Sequence, residues 1–180
     1  MTAIMIGPPC SPPDNTGVVP VGDEPSRELA TMTRRPRILL VEDEFEMRRL
    51  LAEVLRKEGH DVTEAVSGTE GVDRMVESWI SGGSVEPFDL VISDVRMPGW
   101  TGLEILEIVA TSGLATPVIL ITAFGTAETH AEAQRLGAVE VFDKPFELTS
   151  LLTAVREVVR GNALDLLRRA ALSGPLQMKS

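Results

Sequence analysis

Between residues 38 and 142 the sequence alternates short strand-like runs with stretches of helical periodicity, and this alternation restricts the fold more than any other feature. Residues 38–41 (Ile-Leu-Leu-Val), residues 117–121 (Pro-Val-Ile-Leu-Ile) and the run from Phe88 to Asp94 are mostly apolar and rich in β-branched residues, as strands buried on both faces are. Residues 139–142 form a shorter run of the same kind and residues 61–65 a weaker one. Phe45 opens a helix with Met47, Leu50, Leu51, Val54 and Leu55 at helical spacing, closed by Gly59. Residues 69–80 place Val72, Met75, Val76 and Trp79 on one side and end in the loop Ser81-Gly82-Gly83-Ser84. Gly102 leads a helix through Leu103, Ile105, Leu106 and Val109 that ends near Gly113. Residues 126–136 follow as a helix held mainly by alanines and one leucine, which makes it the easiest to displace. Leu148, Leu151, Leu152, Val155, Val158 and Val159 line a last helix, with Gly161-Asn162 as its stop. Such an alternation predicts an α/β fold, a doubly wound five-stranded parallel sheet with helices on both faces.

In a parallel sheet the carboxyl ends of the strands share one edge, where open α/β folds bind their ligands. Here those ends carry Glu42 and Asp43, then Asp94, Thr122 and Lys144. Asp94 stops a buried strand and is followed by Pro98-Gly99, a turn signal. Three carboxylates brought together in a partly desolvated cleft repel one another, and a hard divalent cation offsets that repulsion. Magnesium suits the count, because it takes one or two carboxylates, retains waters and leaves a position for a phosphoryl oxygen. With the Lys144 charge and the Thr122 hydroxyl, the set can hold a phosphoryl group in line with Asp94, which implies an aspartyl phosphate.

The residues Ile38-Leu39-Leu40-Val41-Glu42-Asp43-Glu44, Asp94-Val95-Arg96-Met97-Pro98-Gly99, Ile121-Thr122-Ala123 and Lys144-Pro145-Phe146 resemble, in order and spacing, the response regulator receiver domain of two-component signalling. The resemblance covers about residues 36 to 160 and rests on the joint occurrence of these motifs. It implies a flavodoxin-like sheet of strand order 2-1-3-4-5, with Asp94 accepting phosphate from a histidine kinase or a histidine phosphotransfer protein. It further implies Mg2+ held by Asp43 and Asp94 directly, by Glu42 largely through water, and by the backbone carbonyl of Arg96. Thr122 and Lys144 would contact the phosphoryl group, and Lys144-Pro145 would be cis. Many receivers carry an aromatic residue three positions before the lysine, but that position is Val141 here. Phe142, one later, falls on the opposite strand face and stays outside any switch.

Bland roles compete for several residues. Glu44 reads as a cap of the following helix, Trp100 as a partly buried aromatic packed on the neighbouring helix, and His60 and His130 as surface residues. Arg96 and Phe124, each two positions beyond a site residue, read as tuning water access to the acyl phosphate. A haloacid-dehalogenase-type phosphatase also uses a nucleophilic aspartate with magnesium, but that family resembles Asp-x-Asp, and Arg96 stands at the second position here.

The formal charge of −10 and the scattered basic residues exclude a chain that grips nucleic acid directly. Arg34-Arg35-Pro36-Arg37 reads as a solubilising approach to the first strand. One cysteine, Cys10, excludes an internal disulfide framework and a cysteine-built zinc site. No run approaches the ~20 apolar residues of a membrane span. The proline-rich residues 1–35 read as a disordered arm, with Met32 as an alternative start, residues 36–161 as the receiver domain, and residues 162–180 as a tail with a possible short helix. These readings together describe a stand-alone cytoplasmic regulator, a monomer or phosphorylation-dependent dimer, that signals through an unknown downstream protein. A phosphate sink, a phosphorelay intermediate and a phosphate-independent adaptor are the alternatives.

Overall fold

The computed structural model describes residues 34–80, 87–113 and 116–172, with residues 162–172 as helix backbone only. Strand β1 (Arg37–Val41) leads to helix α1 (Phe45–Lys57), and β2 (Asp61–Ala65) to α2 (Gly68–Ile80). Then come β3 (Leu90–Asp94), α3 (Gly102–Thr111), β4 (Val118–Thr122), α4 (Ala127–Leu136), β5 (Glu140–Asp143) and α5 (Leu148–Leu172). All pairings are parallel and the order is β2-β1-β3-β4-β5, the flavodoxin-like arrangement.

Two apolar layers flank the sheet. Ile38, Leu40, Ile92, Ile119 and Ile121 point to the face covered by α1 and α5, against Leu51, Leu55, Leu151 and Val155. Leu39, Val41, Val91 and Leu120 point to the other, against Met75 of α2, Ile105 and Val109 of α3 and Ala133 of α4. Because β1, β3 and β4 are covered on both faces, their residues are apolar with little interruption, which is why the sequence shows runs and not alternation. Phe142 joins the α1/α5 layer and Val141 the α2/α3/α4 layer, the opposite-face placement that strand period demands.

The structure corrects details. Leu50 and Val76, read as core-facing, are 50% and 38% exposed, so the stripes of α1 and α2 are narrower than the sequence pattern. Helix α5 runs through Gly161-Asn162 to Leu172. A glycine stop requires the left-handed conformation, which Gly59, Gly99, Gly113 and Gly137 adopt but Gly161 does not. The readings of residues 1–33, of Cys10, of the loop 81–84 and of residues 173–180 lie outside the described residues. No helix among the described residues is long and apolar enough to cross a membrane.

Candidate functional site

Register gathers the site. Val41 pairs with Ser93, Asp94 with Ile121, and Thr122 with Asp143, so the carboxyl ends of β1, β3, β4 and β5 lie level. Backbone bonds extend this ladder past the strand ends: Glu42 N–H donates to Ala65 O at 3.2 Å, Val95 N–H to Ile121 O at 2.8 Å, and Lys144 N–H to Thr122 O at 2.7 Å. The backbones of the functional residues are therefore as fixed as the sheet itself. Gly102, first residue of α3, packs so closely on the Asp94 carbonyl that any Cβ there would collide with it. Thr101 caps α3 in a reciprocal box with Glu104, which holds the loop after Asp94 at its far end.

Carboxylate oxygens of Glu42, Asp43 and Asp94 all lie within 4.8 Å of one another. Glu42 and Asp94 are buried, and Asp43 opens to solvent. Lys144 Nζ donates to Glu42 Oε2 at 2.8 Å and stands 3.4 Å from Asp94 Oδ1. Burial pushes the pKa of Glu42 and of Asp94 up, and the Lys144 charge offsets only part of this. Burial also works to lower Lys144, but its hydrogen bond and charge contacts with Glu42 and Asp94 prevail and raise it. Lys144 is therefore a fixed cation.

Asp94 Oδ1 is buried and meets the Lys144 ammonium at 3.4 Å, with no closer hydrogen bond among the described residues. A buried carboxylate oxygen met only by a long ion pair has acceptor capacity to spare. Its presence beside two further carboxylates is the chemistry of a hard-cation site, and the donor set fits Mg2+. Arg96 lies in the loop beyond β3 and its backbone N–H interacts with the Asp94 carboxylate, while its guanidinium sits 4.6 Å from the centroid of the Phe124 ring. Thr122 is fully buried, and its Oγ1 accepts from Phe124 N–H at 3.1 Å. That bond uses an acceptor site and leaves the hydroxyl proton available. Lys144-Pro145 is cis.

Helix α4 approaches this edge with one buried residue, Ala133. A polar tie supplements it: His130 Nε2 lies 3.1 Å from both Oδ1 and Oδ2 of Asp143, at the end of β5. Gly125 crosses directly over this pair, where a Cβ would strike Asp143.

Sequence reasoning missed two of these features. Arg48 is buried, and its Nη1 donates to the carbonyls of Glu42 at 2.8 Å and Asp43 at 3.3 Å. Its position one turn before Leu51 and Ala52, in the apolar stripe of α1, was the available signal. The His130–Asp143 pair had no such signal, since both are polar residues at exposed spacing. Other readings need correction. His60 is buried, 9% exposed, and burial lowers its pKa. Glu44 occupies the N-cap position of α1, yet its side chain makes no capping bond. Trp100 is 43% exposed and not packed away.

The opposite edge of the sheet carries a cleft of about 610 Å³ lined by Arg34, Arg35, Arg37, Arg56, His60, Asp61 and Val62. Its arginines are largely answered internally: Arg34 by Asp89 at 2.7 Å, Arg37 by Asp61 at 3.8 Å and by stacking over Phe88, Arg56 by Glu64 at 2.9 Å. The basic run thus ties down the start of β1, beyond the solubilising role its composition suggested.

Comparison with known proteins agrees with this geometry. Residues 38–156 match the family described as the response regulator receiver domain. The uncharacterized transcriptional regulatory protein YkoG of Bacillus subtilis is 39% identical over 125 residues, covering 69% of this chain; the chain spans only about half (51%) of that relative. Sporulation initiation phosphotransferase F of Bacillus subtilis is 34% identical over 121 residues, 67% of this chain and 91% of the relative. Among solved structures, the Vibrio cholerae chemotaxis protein CheY4 superposes with a TM-score of 0.60 at 28% identity, over 69% of this chain and 99% of the other.

Proposed function

The chain belongs to the response regulator receiver domain family, and from that premise we propose that Asp94 is its phosphoacceptor, charged by a phosphohistidine on a histidine kinase or phosphotransfer protein. The observation that carries this is the Asp94 carboxylate itself: buried, beside two further carboxylates, and with Oδ1 met by Lys144 at 3.4 Å but by no closer hydrogen bond among the described residues. An Asp94 oxygen attacks phosphorus, the bond from phosphorus to the donor imidazole nitrogen breaks, and the imidazole leaves with the electron pair. Lys144, directly after β5, neutralises charge on the equatorial oxygens, and the Thr122 hydroxyl at the end of β4 donates a hydrogen bond to them. Asp43, Asp94 and the Arg96 carbonyl would hold Mg2+ directly and Glu42 through water, and the ion supplies the remaining positive charge at the transferring group. Hydrolysis reverses the modification, with the Arg96–Phe124 pair across the two loops limiting the approach of water.

The output of this cytoplasmic regulator is altered partner binding through α4 and its neighbours, the least anchored part of the edge. A relay role is the second reading. It is favoured by the likeness to a protein named as a phosphotransferase, nearly all of which the chain spans. Incubating the chain with a phosphorylated histidine phosphotransfer protein and a second, unphosphorylated one separates the two: a relay passes label onward, whereas a regulator retains it until hydrolysis.

A further inference from the structure

We infer that Arg48 is a positioning residue for the metal ion, fixing the peptide planes of Glu42 and Asp43 so that their carboxylates face Asp94 before the cation arrives. The inference rests on the phosphoacceptor reading above and goes beyond it, because Arg48 touches neither metal nor phosphoryl group.

Arg48 shares the buried stripe of α1 with Leu51, Ala52 and Leu55, and its side chain is only 10% exposed. Burying a guanidinium there is costly unless its donors are used. Its hydrogen bonds go to one loop. Nη1 spans the two consecutive carbonyls of Glu42 and Asp43, the residues between the end of β1 and the start of α1. Nε stands 3.6 Å from Glu64 on β2, and the guanidinium lies 5.6 Å from the centroid of the Phe45 ring. Glu64 is in turn held by Arg56, about two turns further along α1. The acidic loop is thereby clamped from beneath to α1 and, through Glu64, to β2.

Charge is not the main contribution. Lys144 answers the buried carboxylates of Glu42 and Asp94, and Arg48 meets the backbone instead. A clamp on peptide planes acts through angle. Mg2+ demands near-ideal octahedral geometry, whereas Ca2+ accepts irregular coordination, so slack in the 42–43 loop penalises Mg2+ more than Ca2+. Outer-shell partners of metal ligands commonly govern affinity by 10–100-fold.

The test is calorimetric titration of Mg2+ and of Ca2+ into the purified full chain, with no phosphodonor, for the native protein, Arg48→Met and Arg48→Lys. Arg48→Met is expected to bind Mg2+ about 10–100-fold more weakly and Ca2+ with a distinctly smaller loss. Arg48→Lys, which keeps a donor able to reach a carbonyl, is expected to recover part of the Mg2+ affinity. Should Arg48→Met fail to fold, Arg48→Met combined with Glu64→Gln removes the carboxylate that has lost one of its two cationic partners and serves in its place. Mg2+ affinity within twofold of native in a folded variant, or equal losses for both cations, would overturn the inference. Absence of Mg2+ binding in the native chain would instead bring down the phosphoacceptor reading beneath it.

Discussion

Helices α1 and α4 both follow strands that deliver site residues, yet they are attached in opposite ways. Helix α1 buries Leu51, Ala52 and Leu55 and anchors its loop with a buried arginine; α4 buries Ala133 and leans on a hydrogen-bonded histidine–aspartate pair. Glu42 and Asp43 thus sit beside a deeply anchored platform, while α4 is held by less buried apolar surface. On the reading of Asp94 as phosphoacceptor, this contrast would suit a site that holds a cation and also reports a change in charge. With Val141 facing α4 and Phe142 on the far side of the sheet, no aromatic side chain of β5 couples to Thr122 from the α4 face. On that side of the sheet the end of β5 is tied to α4 by the His130–Asp143 pair beneath Gly125.

The largest effect should come from emptying the platform. Leu51→Ala is expected to destabilise the domain by roughly 2–5 kcal/mol, as buried leucines do, whereas Leu136→Ala in α4, only partly buried, should lose about 1 kcal/mol. Urea unfolding of the two variants checks this, and equal losses would break the comparison. Asp94→Asn should change stability in the other direction. Removing a buried charge from a carboxylate cluster is expected to raise the thermal midpoint of the metal-free chain by a few degrees, on the order of 1 kcal/mol.

The same cluster sets a pH dependence. The folded pKa values of Glu42 and Asp94 lie above their ordinary values, so the folded chain binds more protons than the unfolded one between those limits. Their contribution therefore favours folding below the ordinary carboxylate range and is lost as pH rises through the raised values. Stabilisation by added Mg2+ has the reverse trend, since the cation needs both groups ionised. Melting curves from mildly acidic to neutral pH, with and without Mg2+, should converge at low pH and separate as pH rises.

Smaller effects sharpen the α4 side. His130→Ala is expected to speed amide exchange across α4 while moving global stability by under about 1 kcal/mol, because the pair is exposed. Exchange confined to α1 instead would contradict the assignment. Phe124→Ala should quicken loss of phosphate from the modified chain severalfold with its charging rate little changed, as followed by intact mass over time.

Much of this was readable in the chain. Strands β1, β3 and β4 were evident because burial on both faces makes them unbroken apolar runs; Glu42, Asp94 and Thr122 stand at the ends of those runs, with Asp43 one residue on and Lys144 just past β5. What escaped reading depends on partners far away in sequence. Arg48 drew no reading because the loop carbonyls it meets are fixed only by the fold, and His60, read as a surface residue, is buried. Gly161 looked like a stop because composition carries no φ angle.

The most direct test is intact mass after incubation with Mg2+ and acetyl phosphate, comparing the native chain with Asp94→Asn. A hydroxylamine-labile gain of one phosphoryl group in the native chain alone is the predicted result. A gain in both chains would move the acceptor away from Asp94. No gain in either, even with a phosphorylated histidine donor, would contradict the phosphoacceptor reading and leave a phosphate-independent adaptor.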